Sequence, residues 1–171
     1  MLRFDERFLE AFGQYTTYIM EMMEIKDWRV KLVDDPPDGE DAAASVKCIK
    51  GRRNATLRLC MDFFDYPSED QRHYLIHELC HIFNDGLDKI SETVMAGLSM
   101  SAYSQFEAAW IIALENHTDQ LAYVIGELVE GYSRHDRLWA NVIRAERGEL
   151  PLPDPDTVVS APMPGLDPKE S

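Results

Sequence analysis

Cysteine is scarce in this chain, and its three copies at positions 48, 60 and 80 form neither a CxxC pair nor an even disulfide framework. An odd, widely spaced set fits a reducing compartment. Long hydrophobic runs are missing too. No stretch approaches the ~18 uncharged apolar residues of a membrane span, and the opening MLRFDERFLEAF carries charges where a secretory signal needs an apolar core. Basic residues are few, 17 Lys and Arg against 31 Asp and Glu, for a formal net charge of -14. Such a chain repels phosphate backbones and anionic lipid, which sets aside nucleic acid and membranes as partners. The only tight basic cluster, Lys50, Arg52 and Arg53, reads as a solvated turn. The expected location is the cytoplasm.

What remains is enough for a real core. With 171 residues and 45% hydrophobic content, the chain reads as one soluble domain over residues 1–150. It is followed by a proline-rich tail, residues 151–171, expected to be disordered or to lie loosely on the surface. Phe4, Phe8, Leu9, Phe12, Tyr15, Ile19, Met22 and Met23 recur at helical spacing, a first amphipathic helix over residues 4–24. Residues 27–34 alternate as a strand with Trp28, Val30 and Leu32 on one face, and the acidic run 34–41 ends it. Residues 45–50 and 55–63 alternate as well. The intervening Gly51-Arg52-Arg53-Asn54 joins them as a hairpin.

The centre of the chain is His77-Glu78-Leu79-Cys80-His81, an HExxH arrangement. On a helix, residues four apart stand almost one above the other, so both imidazoles can aim at one point with Glu78 beside them. The helix is expected over residues 69–84, with Ser68 as cap, Gln71 reaching back to it, and Asn84-Asp85-Gly86 as the stop. Leu75, Ile76, Leu79, Ile82 and Phe83 make it apolar around most of its circumference, which predicts a buried helix. Cys80 turns away from the His77–His81 edge and reads as a core residue. His73, one turn earlier, either lines a cleft or faces solvent, and His117 is expected on the surface. Residues 87–103 carry no clear assignment; a lid over a cleft and a short helix under a loop both fit them.

A long helix follows, from Ser104 to about Tyr132, with the stripe Ala108, Ile111, Ile112, Glu115, Thr118, Asp119, Ala122, Ile125, Gly126 and Val129. A catalytic zinc commonly takes three protein ligands and keeps a position for water. Glu115 is the expected third ligand, because a carboxylate inside an apolar stripe needs a partner. Asp119, one turn on, is expected to accept a hydrogen bond from the far nitrogen of a liganding histidine. The alternative is that both acids flank the core and point to water. Residues 134–147 continue as a shorter amphipathic helix.

With these residues in place, the chain resembles the HExxH zinc metallopeptidases, and Glu115-Asn116-His117-Thr118-Asp119 looks like the ExxxD element of their gluzincin branch. The layout over residues 27–131 is similar to minimal zincin domains of phage and mobile-element proteins, and more distantly to the regulator-cleaving ImmA/IrrE-like peptidases. It departs from the metzincin pattern, since Asn84 and Leu87 stand where that glycine and third histidine would fall. The resemblance implies an α+β, zincin-like fold, with a small antiparallel sheet of about three strands on the HExxH helix and a long second helix. It implies one zinc per chain on His77, His81 and Glu115, and Glu78 as general base for hydrolysis of a peptide or protein substrate in a bacterial or phage-infected cell. It also implies a downstream oxyanion donor, His135 or Tyr132. An edge strand, 45–50 or 55–63, would hold an extended substrate. A non-catalytic zinc-binding accessory or scaffold protein is the alternative, and a metal-free interaction module a further one. Oligomeric state is not readable from the sequence.

Overall fold

The computed structural model describes residues 6–39, 41–49, 51–128, 139, 141–145 and 147–148. Its elements run α1 (Glu6–Met22), β1 (Arg29–Leu32), β2 (Ala44–Cys48), β3 (Asn54–Leu59), a single 3-10 turn (Phe63–Asp65), α2 (Ser68–Met95) and α3 (Met100–Leu128). This is an α+β arrangement with one small sheet. None of the described helices is long and apolar enough to cross a membrane. The tail and the domain limit at residue 150 lie outside the described residues.

The strand order is β1-β3-β2, which corrects the antiparallel expectation: β2 pairs antiparallel with β3 through the hairpin, but β1 pairs parallel with it. A parallel pair needs a connection that crosses back over the sheet, and the segment between β1 and β3, which includes β2, supplies it. Gly51, at φ +74, takes the left-handed position in the hairpin turn that a side chain would strain. Because β3 is central, Ala55, Leu57 and Leu59 are buried on one face while their neighbours are partly exposed. The strand edge beside the long helices is therefore β2, and 55–63 is ruled out as the open edge.

Against that sheet face pack Phe12, Tyr15 and Ile19 of α1 and Leu75, Ile76, Leu79 and Cys80 of α2, all buried. Each fully buried side chain of this size contributes about 1.5–3 kcal/mol. An aromatic group closes one end, with Phe12 5.1 Å from Phe64 and Tyr15 stacked 5.6 Å from Trp139. Gln71 is buried there too. Its Nε2 donates to the Tyr66 carbonyl at 2.8 Å and its Oε1 accepts from Trp139 Nε1 at 3.2 Å. This replaces the expected capping box: Pro67 precedes the helix, Ser68 is already inside it, and no side-chain cap bond forms.

The helix does not stop at residue 84. It continues to Met95, and after residues 96–99 the chain turns back into α3, so most of 87–103 belongs to an antiparallel helix hairpin. Asn84 and Gly86, read as a stop, sit in the helix interior; the Gly86 position has open space around it, and the helix absorbs the ~1 kcal/mol that a helical glycine costs.

Candidate metal centre

α2 and the sheet edge form two walls of a cleft of about 720 Å³, and α3 forms the third. α2 presents His77 and His81 into it, with ring centroids 5.1 Å apart. The two rings stand on the helix edge facing α3 because Leu75, Ile76, Leu79 and Cys80 commit the rest of the circumference to the core. From α3, Glu115 reaches across. Its Oε2 is 3.5 Å from His77 Nε2 and its Oε1 is 3.8 Å from His81 Nε2. One donor atom from each of the three residues lies within 4.8 Å of the others, a group able to hold a metal ion. Tetrahedral zinc with bonds of ~2.0–2.2 Å spaces its ligand atoms about 3.3–3.6 Å apart, so the donor set fits with only small side-chain adjustment.

The far nitrogen of His77 is also engaged. His77 Nδ1 is 2.8 Å from Asp119 Oδ1, which holds the proton on Nδ1 and turns the Nε2 lone pair toward Glu115 and His81. The structure brings these four sequence-expected residues together, but the reason given for Glu115 fails. Ile111 and Ile112 are 52% and 64% exposed, and among the described residues of α3 only Thr118 and Ala122 are buried. Glu115 and Asp119 are themselves exposed. Facing the histidine pair, not burial in a stripe, accounts for them.

Glu78 lines the same cleft from the side of α2 that faces the sheet edge, and is buried against β2. The backbone N–H groups of β2 alternate between β3 and open space: the Ala43 carbonyl and the Ile49 N–H pair with β3, so the even positions point outward. Val46 N–H, one of these, donates to Glu78 Oε2 at 2.7 Å. Burial pushes the Glu78 carboxyl up to about 7; the nearby Glu115 charge adds to this, while His77 and the Val46 N–H oppose it. Burial lowers the His81 pKa, against the opposing pull of Glu115 and other carboxylates, and so favours the neutral imidazole that can act as a ligand.

Other expectations fall into place around this group. Cys80 is fully buried, and burial pushes its thiol up to about 12, which makes it a core residue. His73 is exposed at the rim of the cleft, so it both lines the cleft and meets solvent. His117 is exposed on α3. Tyr132 and His135 lie outside the described residues. Sequence reasoning missed the Val46 amide, for which no side-chain signal exists. It also missed Asp85 and Asp88, which line the cleft beyond His81; Asp88 Oδ1 accepts from Trp110 Nε1 at 3.2 Å. Their i+4 and i+7 spacing from His81 was readable, but only on a helix allowed to continue past Gly86.

No family model, curated protein or solved structure matches the chain. The functional reading rests on the geometry of its own residues.

Proposed function

We propose that this protein is a zinc-dependent metallopeptidase of zincin-like build, with His77, His81 and Glu115 as ligands and Glu78 as general base. The observation that carries the reading is the convergence of His77 Nε2, His81 Nε2 and the Glu115 carboxylate on one point of a cleft walled by the edge strand β2. When bound there, zinc supplies Lewis acidity and a water whose pKa falls toward ~7. The chain's own residues do the rest. Asp119 fixes the His77 tautomer, and neutral His81 offers its lone pair. Glu78, which lines the cleft beside His77, would take a proton from the attacking water and return it to the leaving amine. An extended peptide would pair along the outer edge of β2, the edge on which Val46 lies.

A second reading, a zinc-binding accessory protein without catalysis, is favoured by one contact: Glu78 Oε2 is already committed to Val46 N–H. Glu78→Gln separates the two. For a peptidase the variant keeps its zinc and fold while cleavage of a susceptible peptide falls by at least ~100-fold. A wild type that cleaves no member of a broad peptide library, or a variant that cleaves as well as wild type, leaves the accessory reading.

A further inference from the structure

One buried polar pair has no part in this chemistry. Asn84 is 2% exposed and Thr118 is completely buried, and Asn84 Nδ2 donates to Thr118 Oγ1 at 2.9 Å. Asn84 stands three residues after His81 on α2, and Thr118 three residues after Glu115 on α3. Because the helices are antiparallel, Asn84 lies one turn past His81 toward the 96–99 turn and Thr118 one turn past Glu115 away from it, so the bond crosses the α2–α3 interface beside the ligands. Asparagine is a weak helix former, and burying an amide and a hydroxyl is costly unless they satisfy each other. An apolar pair would have packed as well. What an apolar pair would not do is choose a register.

The other polar links between α2 and α3, Trp110 Nε1 to Asp88 Oδ1 at 3.2 Å and His77 Nδ1 to Asp119 Oδ1 at 2.8 Å, are only partly buried. Thr118 and Ala122 are the buried residues among those described on α3, and both are small. Small apolar surfaces tolerate sliding, and a slip of one helical turn moves a residue by about 5.4 Å. Glu115 now lies 3.5 and 3.8 Å from the two imidazoles, so such a slip would carry its carboxylate out of ligand range. A hydrogen bond between two buried groups is satisfied in one register alone, and a buried group left unpaired loses its solvation without return.

We propose that Asn84 and Thr118 are positioning residues for the metal centre: their hydrogen bond fixes the register of α3 on α2 and so holds Glu115 opposite His77 and His81. The inference rests on reading those three residues as a metal centre. It parallels the use of a single buried asparagine to set the register of paired helices, where specificity and not stability is the return.

The test measures metal binding, not turnover. Asn84→Leu with Thr118→Val replaces the polar pair by an apolar one of similar volume, and Thr118→Ser keeps the hydroxyl. Each purified protein, stripped with chelator, is titrated with zinc and with cobalt, whose visible absorption reports the ligand set, and is melted in parallel. The expected result is that the double variant keeps its helical content and melting temperature while zinc affinity falls ~10–100-fold and the cobalt spectrum changes. Thr118→Ser is expected to match wild type in both. A folded double variant with wild-type zinc affinity and cobalt spectrum overturns the proposal. If the double variant fails to fold, Thr118→Val alone decides on the same readouts. A wild type that takes up no metal overturns the metal-centre reading itself, and the register role with it.

Discussion

α2 and α3 are of nearly equal length, 28 and 29 residues, yet they hold their halves of the site by different means. α2 drives Leu75, Ile76, Leu79 and Cys80 into a core shared with the sheet and α1, so His77 and His81 are fixed by the folding of the whole domain. α3 carries Ile111, Ile112, Tyr123, Val124 and Leu128 in exposed positions, and Glu115 projects from a helix whose fully buried residues, among those described, are Thr118 and Ala122. One side of the site is thus built by the core and the other is placed by local contacts. A metal ion bridging them would couple the less anchored helix to the better anchored one, so that binding also stabilises the hairpin.

The largest expected effect comes from removing the core-held side. His77→Ala with His81→Ala leaves only an exposed carboxylate, so elemental analysis of the purified protein is expected to find no stoichiometric zinc; retention of one zinc per chain breaks the assignment. Next in size is a pair of stability measurements that tests the contrast between helices directly. Leu79→Ala should cost about 2–5 kcal/mol in denaturant unfolding, since it opens a cavity at a fully buried position. Ile112→Ser, at a position 64% exposed, should stay within about 0.5 kcal/mol. Equal losses would mean that α3 is as deeply anchored as α2.

The same contrast explains what the sequence made legible. The HExxH spacing on a helix apolar on most sides carries its own geometry, so His77, Glu78, His81 and the burial of Cys80 could be read directly. Glu115 and Asp119 could be found because two acids one turn apart stood among apolar residues, although most of those neighbours proved exposed. Local signals failed where tertiary contacts overruled them. Asn84 reads as a stop until it meets Thr118, Gln71 reads as a cap until Trp139 and the 63–66 turn enclose it, and the parallel pairing of β1 with β3 depends on a crossover that no periodicity encodes.

A third test concerns Glu78 in the metal-free protein. Burial raises its carboxyl from 4.5 to about 7, so between those values the folded state holds a proton that the unfolded chain has released. Stability from this group therefore falls as pH rises from about 4.5 to 7 and is level above that, a loss of roughly 3 kcal/mol. His81 works in the opposite sense, because its lowered pKa makes the unfolded chain the better proton binder below about 6.5. Comparing wild type with Glu78→Gln cancels the histidine. The difference in unfolding free energy between pH 5 and pH 8 is expected to favour the variant at the higher pH; parallel curves would show that Glu78 is solvated, not held in the core.

The smallest expected effect lies on the exposed side of the site, at Asp119. Its carboxylate touches His77 through Nδ1, 2.8 Å away, and no donor atom of the metal group belongs to it. Its side chain is 62% exposed, so the ion pair itself contributes little in water. What Asp119 supplies is orientation: with it, the proton stays on Nδ1 and Nε2 keeps the lone pair; without it, the ring is free to rotate or to change tautomer. Asp119→Ala should therefore weaken zinc binding by ~10–100-fold, less than loss of a ligand. Asp119→Asn, which still offers an acceptor oxygen, should recover most of that loss. Competition with a chelator indicator of known affinity measures both. Unchanged affinity in Asp119→Ala would mean that the packing of α2 alone orients His77, making the core-held half of the site independent of α3.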